Sequence, residues 1–160
     1  MRIVLGVDPG LSGAIALLTA GGDLAVWDMP TLQVDRNGKA KRELDLVCLV
    51  TIIRDAGATE AWFEKVGAMP GQGVSSMFAF GRAVGQVEAA IAACGIPISY
   101  VTPQTWKRQL TVPTGKDAAR LRASQLMPAY ATEWRLAKHD GRAEAALIAL
   151  YGLLHGGTGR

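Results

Sequence analysis

The chain has 160 residues, is 49% hydrophobic, and carries a formal net charge of +3 with a sequence pI near 9.1. That length suits one domain over residues 1–160 with a sizeable core and is too short for two of ordinary size. No run of about 18 apolar residues occurs, so no membrane span is expected, and the first residues lead into a strand rather than a signal peptide.

An apolar run, Ile3 to Val7, predicts a buried strand ending at Asp8, with Pro9-Gly10 turning the chain. Gly13–Thr19 and Leu24–Met29 predict two more strands, joined through Gly21-Gly22 as a hairpin. Residues 33–42 are polar and carry four basic side chains, which predicts an exposed, mobile loop. A helix is expected over Glu43–Ala56, stopped by Gly57. Cys48 there and Cys94 later have apolar neighbours and are expected to be reduced core thiols of a cytoplasmic protein.

Ala61-Trp62-Phe63 predicts a fourth strand ending at Glu64, followed by a glycine-rich loop to Gly73. Val74–Cys94 predicts a long helix whose Gly81 and Gly85 imply close packing against a neighbour. A fifth strand over Ile96–Val101 and three helices, from Pro103, over Lys116–Met127 and over Asp140–Leu154, complete the order. The result is an α/β layout with an antiparallel half and a parallel half. Trp62, Trp106 and Trp134 read as packing residues, with Trp106 beside Lys107-Arg108 left open as a stacking platform.

Four acids stand where such a fold can gather them. Asp8 and Glu64 end strands, while Asp140 and Glu144 begin the last helix four residues apart on one face. Each has a structural alternative: Asp8 as a turn residue, the helix pair as partners of the helix dipole. Taken together they predict a site for hard divalent cations, Asp8, Glu64, Asp140 and Glu144 being both the metal ligands and the catalytic residues. Two Mg²⁺ ions about 3.5–4 Å apart, with Mn²⁺ able to substitute, would activate water and neutralise charge in phosphodiester hydrolysis. Basic residues lie close by in sequence. Lys107, Lys116 and Arg120 are the expected phosphate contacts, with Arg120 and Arg122 pointing different ways so that one at most faces DNA. His139 is a weaker candidate for metal binding, proton transfer or capping.

Gly6-Val7-Asp8-Pro9-Gly10 with Ser12-Gly13, Trp62 to Val66, the helix through Gly81-Arg82-Ala83-Val84-Gly85, Thr102-Pro103 with Trp106-Lys107, and His139-Asp140 to Ala149 together resemble the RuvC family of Holliday junction resolvases. The resemblance implies an RNase H-like mixed five-stranded sheet flanked by helices. It also implies a homodimer that cuts four-way or branched DNA symmetrically, with Met77, Phe78, Phe80 and Val84 offered as interface residues. Cellular members commonly set the last two acids three apart. Here they are four apart, and Gly141 stands where the earlier acid aligns if Glu144 is matched to the later. This variant is similar to members carried by phages, implying phage or prophage origin within a bacterial cell. The aromatic that members often carry after the second acid is replaced by Gly67-Ala68-Met69, which leaves junction selectivity open. The alternatives are a non-catalytic branched-DNA binder on the same fold and an actin-like phosphotransferase, the latter disfavoured because it requires a second lobe.

Overall fold

In the computed structural model, which describes residues 1–68 and 70–156, the strands expected from the apolar runs form one sheet. β1 (Ile3–Asp8) pairs antiparallel with β2 (Ala14–Thr19), and β2 with β3 (Leu24–Asp28). On its other side β1 pairs parallel with β6 (Glu60–Glu64), and β6 with β7 (Ile98–Val101). The five-stranded order β3-β2-β1-β6-β7 places β1 at the centre, which explains why Val4, Leu5 and Val7 are fully buried.

Between β3 and β6 the chain departs from expectation. Residues 33–42 belong to a hairpin of β4 (Thr31–Arg36) and β5 (Lys39–Leu44), a separate two-stranded sheet. Both its faces are largely wet, so no apolar alternation marked it. The turn did, since Asn37 and Gly38 both take positive φ, 57° and 74°, as the tightest hairpin turns require. α1 (Leu46–Ala56) starts later than expected because Asp45 caps it, accepting a 3.0 Å hydrogen bond from the Cys48 amide. Leu49 and Ile53 form its buried side, which turns Cys48 outward. Cys48 is exposed and Cys94 half-buried, so the expectation of core thiols fails for Cys48.

α2 (Val74–Ala93) lies over one face of the sheet, burying Ala83, Val87, Ala90 and Ile91. Its glycines do not serve close packing. A Cβ at Gly81 or Gly85 would meet open space, because both belong to the outward face. Met69 lies outside the described residues. α3 (Pro103–Gln109) follows β7, and α4 (Ala118–Leu126) is shorter than expected, continuing into 3₁₀ turns over Pro128–Trp134 and Ala137–His139.

α5 (Asp140–His155) crosses the other face and sets the position of everything that follows. It runs so close to β1 and β6 that a Cβ at Gly6 would fall 2.1 Å from the Ala145 carbonyl oxygen, and one at Gly152 would strike the Trp62 ring. Its own residues Ala145, Ala146, Leu147, Ile148 and Ala149 are all fully buried. Arg2 fastens the far end, donating to the Leu153 and Gly152 carbonyls at 2.8 and 2.9 Å while pairing with Glu60 at 2.8 Å. Among the described residues no helix is long and apolar enough to cross a membrane.

Candidate active site

Register brings the first two acids together. Val7 pairs with Phe63, so Asp8 and Glu64 are the next neighbours, at the carboxyl ends of adjacent parallel strands. Such strands lie about 4.8 Å apart. Side chains alternate, so Asp8 shares the face of Gly6, and Glu64 that of Trp62. This is the face that α5 covers. A Cβ at Gly141 would lie 3.0 Å from Asp8 Oδ2 and 3.0 Å from the Ser12 carbonyl oxygen. The first turn of α5 therefore rests directly on Asp8, and an acid at position 141 would need its surroundings to shift.

Glu144, one turn further along, completes the group. Burial, then the charges of Glu144 and Glu64, push the Asp8 carboxyl well above its ordinary value, with Lys107 opposing them. Glu64 is 7% exposed. Burial raises it as well; the Trp106 hydrogen bond holds it back, Glu144 adds to the rise, and Lys107 subtracts. Two side chains of α3 manage this concentration of negative charge. The buried Trp106 donates from Nε1 to Glu64 Oε1 at 2.8 Å, and Lys107 Nζ pairs with Glu144 Oε1 at 3.0 Å. Lys107 also lies 5.1 Å from the centre of the Trp106 ring. Thr102 caps α3, accepting from the Thr105 amide at 3.2 Å, which fixes where both side chains begin.

Asp140, expected with the other three, is held elsewhere. Its Oδ1 accepts from Arg120 Nε at 2.7 Å, and Asp8 feels Glu144, Glu64 and Lys107 rather than Asp140. The same guanidinium is bonded to Asp117 and, at 3.2 Å, to the Arg135 carbonyl. Arg120 was expected to face phosphate; its donors instead meet protein oxygens. Arg122 donates to the Leu110 carbonyl at 2.6 Å. Lys116 is exposed just before α4. His139 lies with Asp28 and Arg142, which are joined by two 2.7 Å bonds, and burial pushes its imidazole below the ordinary value. Its Nδ1 is shielded and has no hydrogen-bond partner among the described residues.

Sequence reasoning missed the role of Trp106. The signal was present: a buried indole N–H needs an acceptor, and Glu64, following an apolar run, needs a donor.

Asp8 opens onto a cavity of about 540 Å³ walled by Gly10, Ser12, Ser76 and Phe80. Ser76 and Phe80 also border a second cavity, of about 940 Å³, beneath Gly67, Gly73 and Pro103. Sharing these two side chains, the cavities form a trough along α2 that passes Asp8. Among the described residues no three His, Cys, Asp or Glu side chains stand close enough to enclose a cation.

No protein-family model matches the chain, and no curated protein does. Solved structures do. The Thermus thermophilus RuvC structure aligns with a TM-score of 0.64 and 14% identity, covering 97% of this chain and 97% of that chain. The chain has the RuvC fold. T. thermophilus RuvC in complex with a Holliday junction substrate aligns at TM-score 0.62 and 13% identity, again covering 97% of each chain. Within the RuvC fold, an RNase H-like arrangement, the mixed five-stranded sheet and flanking helices are as the sequence implied.

Proposed function

We propose that this chain is a divalent-metal-dependent endodeoxyribonuclease that cuts Holliday junctions and other branched DNA by paired, symmetric hydrolysis of phosphodiesters. The observation that carries the reading is the placing of Asp8 and Glu64 side by side at the carboxyl ends of β1 and β6, with Glu144 of α5 close enough for its charge to raise both carboxyls. Buried carboxylates beside another negative charge are relieved by a hard cation, and oxygen donors are the ligands Mg²⁺ and Mn²⁺ prefer. Asp8, Glu64 and Glu144 would hold the metal, and Asp140 would join them on leaving Arg120. Bound there, two ions would supply a nucleophilic hydroxide and offset charge on the phosphate.

The protein's own residues have separate tasks. Trp106 orients Glu64, Lys107 balances Glu144 and can turn to phosphate when a metal takes that carboxylate, and Lys116 offers a charge at the start of α4. Two symmetric cuts with one site per chain call for an isologous dimer. Phe78, 76% exposed on α2, borders the cavity between α2 and the β4–β5 hairpin rather than a free outer face. Of the other interface candidates, Met77 and Phe80 are half-buried and Val84 packs on the core.

The test is cleavage of end-labelled four-way, three-way and linear DNA with Mg²⁺, with Mn²⁺ and with EDTA. Paired cuts across the four-way junction are expected with either metal and none with EDTA. Binding without cutting under every metal condition would favour the non-catalytic binder instead.

A further inference from the structure

Resting on that reading, we propose that the β4–β5 hairpin is an arm that grips the phosphate backbone of the DNA duplex flanking the cut. A two-stranded hairpin is at best marginally stable alone in water, and this one contributes little to the core. Of its residues Thr31–Leu44, Leu44 is the one that is buried. Local contacts hold its shape. Asp35 accepts from the Gly38 amide at 2.8 Å, and Arg36 pairs with Glu43 at 2.8 Å.

Both acids of the ribbon are thereby engaged within it. Lys39 and Lys41 are exposed and have no carboxylate partner among the described residues. The surplus is positive, and one of its members, Lys41, lines a cavity. A cavity of about 620 Å³ separates the ribbon from the start of α2, with Lys41 and Arg42 on one wall and Arg82 on the other. Leu11, Ala79 and Ala83 line both this cavity and the one that contains Asp8, so the cleft opens toward Asp8. Arg42 stands at the join, donating to Ser12 Oγ at 2.6 Å.

A polyanion with one phosphate beside Asp8 would continue beneath the ribbon. Six-residue strands at about 3.3 Å per residue reach roughly 20 Å, enough to follow several phosphates of one strand. Lys39 and Lys41, the ribbon's cations with no hydrogen-bonded partner among the described residues, are compact charges suited to backbone contact, so the arm adds affinity without sequence preference.

The experiment is anisotropy titration of a labelled four-way junction in EDTA over a range of KCl concentrations, with single-turnover cleavage at saturating protein alongside. Lys39→Ala/Lys41→Ala is expected to weaken binding and flatten the log–log salt slope by about 1.8, near 0.9 per lost phosphate contact. Its cleavage rate at saturation should match the wild type, and Lys39→Arg/Lys41→Arg should restore the slope. Unchanged affinity and slope in the alanine variant would make the ribbon a solvated surface and overturn the arm, leaving the nuclease reading intact. A wild type that binds no DNA would overturn both.

Discussion

Asp8→Asn is expected to reduce cutting of branched DNA by at least about a hundredfold, the upper range for disturbing a partner of a metal ligand, while junction binding persists. The same variant should melt a few degrees higher than the wild type in metal-free buffer at neutral pH. The sign follows from proton binding. Folding buries Asp8 beside Glu144 and Glu64 and raises its carboxyl above the ordinary value of 3.8. Through the interval from that value to the raised one, the folded chain holds more protons than the unfolded chain, so stability falls as pH rises. Above the interval the wild type retains the full penalty of a buried, repelled carboxylate, which the amide does not carry. The gap in Tm between variant and wild type should therefore be near zero below about pH 4 and grow to a plateau toward neutrality. Thermal melts in EDTA across that range check it. A variant that melts below the wild type at neutral pH, or that cuts at the same rate, contradicts the assignment of Asp8.

Trp106 should show the second large effect. It is fully buried, and its indole connects the core under α3 to Glu64 through the 2.8 Å bond. Trp106→Ala removes the ring and the donor together and is expected to cost about 3–5 kcal/mol in urea unfolding. Trp106→Phe separates the two roles. Most of the packing survives, but buried Glu64 loses its donor, at about 1–3 kcal/mol. Glu64 should then hold its proton more tightly still, since that hydrogen bond is the largest influence opposing the rise. Cleavage by the Phe variant should need more Mg²⁺, in line with the roughly 10–100-fold loss of metal affinity that follows removal of such a partner. An unaltered Mg²⁺ dependence would reduce Trp106 to a packing residue.

These two residues also mark where the sequence was readable. Apolar runs closed by Asp8 and Glu64 announced buried strands, and the parallel register of β1 and β6 then made the acids neighbours. The long-range partners were not legible. Nothing local in Glu64 points to an indole 42 positions away, or in Asp140 to Arg120, 20 positions away. Four-residue spacing put Asp140 and Glu144 on one helix face, but Arg120 and Lys107 take them to different partners. The β4–β5 ribbon was missed for a different reason. Periodicity reports burial on one face, and a ribbon wet on both has none to report, so Asn37-Gly38 was its one clear signal. Gly81 and Gly85 misled because their cost within a helix was read as close packing, whereas a side chain at either position would meet open space.

The most direct measurement is calorimetric titration of Mn²⁺ into the metal-free, DNA-free protein at mildly acidic pH, in buffers of different ionisation enthalpy. If the carboxylates of β1, β6 and α5 are waiting for cations, the wild type takes up Mn²⁺ and releases protons, and Asp8→Asn/Glu64→Gln does neither. Equal Mn²⁺ uptake by the two proteins, with no proton released from either, would mean that the acids meet for some other purpose.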